Sequence, residues 1–188
     1  GKFDEAIGYM QRNLKLAEEL GYRKGMAKSL NTLGDIYFYR NELETSLSFY
    51  DRSIETTRGI GNKLVLGFSL VEKSNVLLAK GNLEEVLTNL REATSIAADI
   101  KHPDLLFEVR LMAGKLAVID NNIEEAKNVF DALLALKRGR RDEALVQFEY
   151  SKIEDGASHK SRALALFKEL YEETPVHAYR LKINELEQ

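Results

Sequence analysis

The sequence predicts an all-α protein built from repeated pairs of antiparallel helices. Two patterns predict this: an apolar pattern that returns every 40 residues, and apolar residues spaced about 3.6 residues apart within each half of that period. The composition fits, because 44% of the 188 residues are apolar, 30% are charged and only two are proline. A fixed period of this length is typical of stacked helical units, each of which buries its apolar face against the next.

The period is clearest where the second helix of each pair begins. A bulky apolar residue recurs there at intervals of 40 residues, at Phe3, Leu43, Leu83 and Ile123. Three positions later there is a position that favours small residues, occupied by Ala6, Ser46, Val86 and Ala126. A large residue comes four positions after that, at Met10, Tyr50, Leu90 and Phe130. A fifth copy, shortened to 37 residues, places Ala163 and Phe167 in the same two roles.

Residues 30–37 add a motif of the form Leu-x2-Leu-Gly-x2-Tyr, which is followed by Ser46 and Tyr50. This motif resembles the tetratricopeptide repeat (TPR), whose signature is W-x2-L-G-x2-Y, then A-x3-F, then P. The resemblance implies a right-handed solenoid of antiparallel helix pairs, in which small residues lie where the two helices cross. The period is about six residues longer than the usual length of roughly 34, which favours a long-unit TPR subgroup.

Later first helices follow the signature less closely. Gly34 is matched by Ser74 and Gly114, which are also small, whereas Lys73 and Arg110 depart from the signature. A HEAT-like array, whose period overlaps 40 residues, is the alternative architecture. The Leu-Gly-x2-Tyr motif favours TPR over this alternative.

Apolar periodicity, breaks and caps define the individual helices in order. We expect helices over 2–20, 24–39, 42–58, 63–80, 83–100, 103–120, 123–136, 142–154, 159–173 and 176–187. Glycines at positions 21, 59, 61 and 81 are predicted breaks, and a turn at 155–158 separates the last pair. Asparagine followed three residues later by glutamate predicts capped helix starts at 41/44, 82/85 and 122/125.

These helices form one predicted repeat domain over residues 1–188. It comprises a half unit at 1–21, units at about 22–61, 62–101, 102–138 and 139–175, and a C-terminal capping helix at 176–188. The last helix carries an apolar side made of Val176, Tyr179, Ile183 and Leu186, which suits the end of a solenoid. The chain opens in the middle of a repeat, so we expect it to be a piece of a longer protein.

Composition argues against several classes of function. The net charge of −3 gives no overall field that would attract nucleic acid or an acidic membrane. The chain has no cysteine, so it can form neither a disulfide nor a thiolate site. The longest uncharged apolar-rich run, Leu64–Val71, is too short to span a bilayer, and no signal peptide is visible. These features fit a cytoplasmic protein.

No set of residues in the sequence predicts catalysis. His102, His159 and His177 fall in different units at predicted turns or helix starts, and none has a carboxylate partner on the same helical face. We interpret them as surface histidines. A phosphate-binding loop and a nucleophile elbow are both missing from the sequence. We therefore expect no enzymatic activity, no cofactor and no metal.

The basic segment 137–141, Lys-Arg-Gly-Arg-Arg, has two interpretations. It could contact phosphate or nucleic acid. A solvated turn between helices is favoured instead, because the segment is short, lacks flanking aromatic residues and lies in an acidic chain. We expect no nucleic-acid partner and no membrane partner.

The resemblance to TPR implies a concave groove lined by the first helix of each pair. The residues at the family's groove positions are Lys28, Asn31, Asp35, Phe38, Phe68, Val71, Asn75, Leu78, Glu108, Leu111, Lys115 and Val118. The set mixes acidic, basic, amide and apolar side chains, which disfavours a clamp for a terminal carboxylate. It favours a helical or extended segment that makes both polar and apolar contacts.

We therefore expect a protein–protein interaction module that binds a peptide or partner protein. It would be the regulatory or scaffold part of a larger protein. The alternative is a structural spacer that forms homo-oligomers by stacking through exposed repeat ends.

Overall fold

The computed structural model describes residues 2–153 and 156–188. These residues form ten α-helices and no strand. The helices are α1 (Lys2–Glu19), α2 (Arg23–Tyr39), α3 (Leu43–Gly59), α4 (Lys63–Ala79), α5 (Leu83–Ile100), α6 (Pro103–Ile119), α7 (Ile123–Ala135), α8 (Arg140–Tyr150), α9 (Ala157–Glu173) and α10 (His177–Leu186). The predicted all-α fold class is confirmed for the described part of the chain. None of its helices is long and apolar enough to cross a membrane.

Most predicted helix bounds lie within one residue of the observed ones. The exceptions are α8 and α9, which each begin two residues before their predicted starts at 142 and 159. Observed α8 stops at Tyr150, whereas its predicted end, Glu154, lies outside the described residues. The same holds for Asp155, the first residue of the predicted turn at 155–158.

The chain divides into two compact units, Gly1–Val109 and Arg110–Gln188, with the boundary inside α6. In the first, which we call unit 1, each of α1 to α4 packs against the next helix, and α2 also contacts α4. In the second, unit 2, α7 packs against α8, α8 against α9, and α9 against α10. Packing between consecutive helices is what a helical repeat predicts.

Six interhelical turns repeat one backbone feature every 20 residues. The residues with positive φ in these turns are Gly21, Asn41, Gly61, Gly81, Lys101 and Asn121. At the fourth turn, the amide of Gly81 donates to the carbonyl of Leu78, and the amide of Asn82 donates to the carbonyl of Leu77. This Schellman arrangement satisfies carbonyls at the helix end and needs a left-handed residue. The same pair of bonds recurs at the turns of Gly21, Asn41, Gly61 and Asn121, and helices of 17 or 18 residues between these turns produce the half-period in α1 to α6.

Asparagine caps begin several helices. Asn82 and Asn122 cap α5 and α7 as predicted, and each accepts from the backbone amide of the glutamate three residues on. Asn62, which the sequence reading missed, caps α4 in the same way over 3.2 Å. The cap predicted at Asn41 is wrong. Asn41 is itself the left-handed residue, with φ 62°, and the preceding residue of α3, Glu42, makes no side-chain cap.

Glycine allows the helices of a pair to cross closely. A Cβ atom added to Gly34 would lie 2.8 Å from the Tyr50 ring, and one added to Gly114 would lie 2.4 Å from the Phe130 ring. The two aromatic side chains are 1% and 0% exposed. The hydroxyl of Ser46 donates to the carbonyl of Gly34 over 2.8 Å. The packing role predicted for these signature positions is confirmed in both units.

Candidate functional site

Ten of the twelve predicted groove residues are exposed or half-buried. Val71 and Leu111 differ, because they are only 2% and 3% exposed. Their side chains pack in the interior, so they offer no surface to a partner in this structure. The other ten stay predictions: Lys28, Asn31, Asp35, Phe38, Phe68, Asn75, Leu78, Glu108, Lys115 and Val118.

Seven of these residues lie on two helices that touch each other in unit 1. We call them the α2–α4 face: Lys28, Asn31, Asp35, Phe38, Phe68, Asn75 and Leu78. Lys28 is exposed and the other six are half-buried. The structure therefore places polar and aromatic side chains together at accessible positions on adjacent first helices.

A hydrogen-bond network fixes Asn31 at the seam between α2 and α4. The hydroxyl of Ser69 donates to Asn31 Oδ1 over 3.0 Å. Ser69 Oγ also lies 3.1 Å from Ser53 Oγ, and both serines are fully buried. Ser69 Oγ also lies 2.8 Å from the carbonyl oxygen of Val65, so these contacts hold the Asn31 side chain at the seam, where its amide can both donate and accept.

Asp35 has an unusual environment for a surface carboxylate. The hydroxyl of Tyr50 donates to Asp35 Oδ1 over 2.5 Å. Burial raises the pKa of the Asp35 carboxyl to about 6, and the hydrogen bond from Tyr50 opposes that rise. Burial and the nearby negative charges of Asp35 and Glu72 raise the pKa of the Tyr50 phenol. The carboxyl of Asp35 is thus partly desolvated, and its pKa is shifted into the range near neutrality.

The α4 half of the face contains an amide and an aromatic ring held by neighbours. Asn75 Nδ2 donates to Glu72 over 3.2 Å. The ring of Phe68 meets the ring of His102 edge to face, with centroids 6.0 Å apart. These contacts orient both side chains without burying them completely.

Lys115 belongs to a cluster in unit 2 that the sequence reading did not detect. We define the lysine cluster as Lys115 of α6, Lys152 after α8 and Lys182 of α10, grouped around Glu149. Lys152 Nζ lies 2.8 Å from Glu149 Oε2, and Lys115 Nζ lies 3.7 Å from Glu149 Oε1. The Nζ atoms of Lys182 and Lys152 lie 3.7 and 4.3 Å from the centroid of the Phe148 ring.

The cluster perturbs its own charged groups. Burial acts to raise the pKa of the Glu149 carboxyl, but the three lysines outweigh burial and hold that pKa below its usual value. Burial lowers the pKa of the Lys182 amine to about 8, and the charges of Lys115 and Lys152 act in the same direction. Glu149 and Glu185 oppose this lowering.

The basic segment 137–141 makes ion pairs within unit 2. Arg138 Nε lies 2.8 Å from Asp142, and Arg140 pairs with Glu173 of α9 over 2.7 Å. Arg140 begins α8, so the segment is only partly the interhelical turn that we expected. These pairings engage cations that would otherwise be available to a phosphate.

The histidines differ in environment, and only His177 is exposed as expected. His159 stacks on the ring of Tyr150 with centroids 3.8 Å apart, and its Nδ1 lies 2.6 Å from Gln147 Oε1. His102 is half-buried against Phe68. His102 and His159 are therefore partly covered by aromatic neighbours, whereas His177 is the fully exposed one of the three. In the described residues, no group of three or more histidines and carboxylates could hold a metal ion.

The contact of Gly34 with Tyr50 and the consecutive packing of α1 to α3 lie in the segment that carries the clearest repeat signature. Residues 1–59 match the tetratricopeptide repeat family. TPR repeats are generally protein–protein interaction modules and are not generally enzymes. No curated protein matches the chain. The TPR match includes α2, and with it Asp35 and Asn31, whereas the long-unit subgroup stays a prediction.

Sequence reasoning missed Tyr50 and Glu149 as electrostatic partners. Tyr50 was assigned a packing role only, although Asp35 directly follows the glycine that packs on its ring. Glu149 stands between Phe148 and Tyr150 in α8, where a charged residue within an aromatic run signals an unusual environment. Nothing in the sequence around Lys152 or Lys182 indicated that these residues would lie near Glu149.

Proposed function

We propose that this chain is a protein–protein interaction module whose α2–α4 face docks a segment of a partner protein. The observation that supports this most is the set of half-buried asparagine and phenylalanine side chains on two touching helices. Asn31 and Asn75 carry amides that can bond a peptide backbone, and Phe38 and Phe68 offer aromatic anchors. The segment that suits this face is helical or extended and carries both polar and apolar side chains.

The same proposal assigns the chain a regulatory or scaffold role within a larger cytoplasmic protein. Its support is the TPR match over residues 1–59, together with a cysteine-free composition that suits a reducing compartment. In this role the chain acts by binding a partner, and the effect of binding depends on the protein to which the bound segment belongs.

A pull-down with matched baits tests the proposal. The test bait carries Asn31→Ala, Phe68→Ala and Asn75→Ala, and proteins retained from source lysate are identified by mass spectrometry. We expect a partner that binds the wild-type chain and is lost from this variant. The purified partner should then bind the wild-type chain directly in calorimetry, with affinity reduced at least about tenfold in the variant.

The control bait carries the same number of alanines on the second helices. Gln11 of α1, Glu55 of α3 and Leu87 of α5 are all exposed, so Gln11→Ala, Glu55→Ala and Leu87→Ala leave the α2–α4 face intact. Far-UV circular dichroism confirms that both baits are folded. Equal retention of every partner by the test bait and the wild type would contradict docking on this face.

A second candidate function is self-association through α1. Several large apolar side chains of α1 and the following turn are exposed: Tyr9 and Leu16 at 54%, Leu20 at 71% and Tyr22 at 55%. Exposed apolar surface of this kind favours association between copies. Light scattering across a concentration series tests it, since Leu16→Glu with Leu20→Glu should abolish any concentration-dependent mass. A constant monomer mass for the wild type rules this candidate out.

A further inference from the structure

The lysine cluster holds an imbalance of charge. Three ammonium groups surround Glu149, whose side chain is 8% exposed. Glu185, which also acts on Lys182, lies on the same helix and is exposed to solvent. Among these groups, one buried carboxylate therefore faces three cations.

An additional anion would relieve this imbalance. The charges of Lys115 and Lys152 disfavour the charged form of Lys182, and burial does the same. A lysine ammonium has three hydrogens to donate and accepts none, so the ion pair with Glu149 leaves hydrogens of Lys152 for a further acceptor, and Lys182 presents its own beside the Phe148 ring. An oxyanion placed among the three would accept these hydrogens and offset their mutual repulsion.

The cluster is both ordered and open to solvent. Lys182 and Lys152 lie against the ring of Phe148, which is 2% exposed and belongs to the core of unit 2. Cation–π contacts of this kind hold an ammonium group in place. The side chains of Lys152 and Lys115 are 41% and 21% exposed, so a ligand can reach the cluster.

We propose that the lysine cluster binds an oxyanion, and that its ligand is a side-chain carboxylate in an acidic segment of a partner protein. The choice of a protein as the source rests on the proposed function, whereas the choice of an anion rests on the cluster alone. Lys115 occupies on α6 the repeat position that Asp35 and Asn75 occupy on α2 and α4. The cluster thus includes a residue at a position where unit 1 presents its proposed docking side chains.

Calorimetry with defined peptides tests the proposal on the full chain. The probe is a short N-acetylated, C-amidated peptide of alternating glutamate and serine, and its control replaces each glutamate with glutamine. We expect the glutamate peptide to bind and the glutamine peptide not to bind. The affinity should fall as salt is added, because the contact is between charges.

Variants of the cluster locate the binding. Lys152→Met and Lys182→Met each remove one charge and keep an apolar side chain against Phe148, so each should weaken binding of the glutamate peptide by about tenfold. Lys127 of α7 is not part of the cluster, and Lys127→Met is the matched control that should bind as the wild type does. Glu149→Gln removes the carboxylate that competes with the ligand, so it should tighten binding.

Several results would overturn the proposal. Equal binding of the glutamate peptide to the wild type and to the double variant Lys152→Met/Lys182→Met would eliminate the site. Equal binding of the glutamate and glutamine peptides would show that the site does not require an anionic ligand. If a neutral peptide with a free C-terminus bound as well as the glutamate peptide, or if only inorganic phosphate bound, the assigned ligand would be wrong.

Two controls separate these outcomes from misfolding of a variant and from failure of the proposed docking on the α2–α4 face. Circular dichroism and the thermal midpoint identify any unfolded variant. If another variant unfolds, the result for Lys152→Met decides the test, because its side chain is the most exposed of the three. Failure of the pull-down with the α2–α4 variant would leave the peptide results unchanged, since these use unit 2 and a known probe.

Discussion

Asp35 in unit 1 and Lys115 in unit 2 occupy the same repeat position, two 40-residue periods apart, and carry opposite charges. Asp35 is half-buried beside the hydroxyl of Tyr50, and its pKa is raised. Lys115 instead joins two other lysines around Glu149, whose pKa is lowered. The comparison shows that the repeat determines where a side chain lies on its helix, while the neighbouring helices determine its electrostatics.

The largest expected effect concerns the buried aromatic ring that packs on a glycine in both units. Tyr50→Ala and Phe130→Ala each remove a fully buried ring that packs on a glycine, so each should cost about 3–5 kcal/mol of unfolding free energy. Chemical denaturation measures both. A loss below about 1 kcal/mol in either unit would show that this contact does not have equivalent roles in the two units.

Tyr50→Phe isolates what differs between the units. It leaves the half-buried carboxylate of Asp35 without its donor, which should cost about 1–3 kcal/mol at neutral pH. Tyr150→Phe is the matched control in unit 2. The Tyr150 hydroxyl donates to Asp131 over 3.1 Å, but Asp131 is exposed and water can replace that donor, so about 0.5 kcal/mol or less is expected. Equal losses in denaturation experiments would contradict the special environment of Asp35.

The two perturbed carboxyl groups should respond to pH in opposite directions. The pKa of Asp35 is raised from 3.8 to about 6, so the native state holds its proton more tightly, and stability falls as pH rises through about 6. The pKa of Glu149 is lowered, so its contribution is present above its usual value of 4.5 and is lost as pH falls below it.

Two substitutions separate these contributions. Asp35→Asn should remove about 0.5–1 kcal/mol of the difference in unfolding free energy between pH 5 and pH 7.5, after allowance for partial exposure of the carboxyl. Glu149→Gln should flatten the decline in stability below the usual pKa of this group. Unfolding curves at several pH values measure both, and an unchanged profile for Asp35→Asn would contradict the raised pKa.

The smallest expected effects concern the helix caps, where the two units should behave alike. Asn82→Ala in unit 1 and Asn122→Ala in unit 2 each remove a side-chain cap and should cost about 1 kcal/mol. Glu42→Asn adds a cap that α3 lacks and should stabilise the chain by about 0.5–1 kcal/mol. Thermal unfolding compares the three, and unequal losses for the two asparagines would show that the units differ in their local backbone as well.

The helices were predictable because short stretches of chain encode them. Capping asparagines, turn glycines and apolar spacing act over a few residues, so most helix bounds were predicted to within one residue. The error at Asn41 is of the same local kind. Asparagine is favoured both as an N-cap and in the left-handed conformation, and the sequence does not distinguish these two roles.

The groove prediction depended on the family pattern and was less complete. Ten of its residues are accessible, but Val71 and Leu111 are buried, because a repeat position does not specify how tightly the neighbouring helices cover it. Burial depends on the size of side chains contributed by other helices, which the local sequence does not contain.

The sequence by itself determined the helices, their 40-residue period, and the glycine and aromatic positions at which paired helices cross. These features arise from backbone propensities and from contacts at a fixed spacing, which recur wherever the pattern recurs. The tertiary structure alone determined the bond between Tyr50 and Asp35 and the grouping of Lys115, Lys152 and Lys182 around Glu149. Charges act through space, so a pKa reflects the neighbours that folding brings together and not those that precede and follow it in the chain.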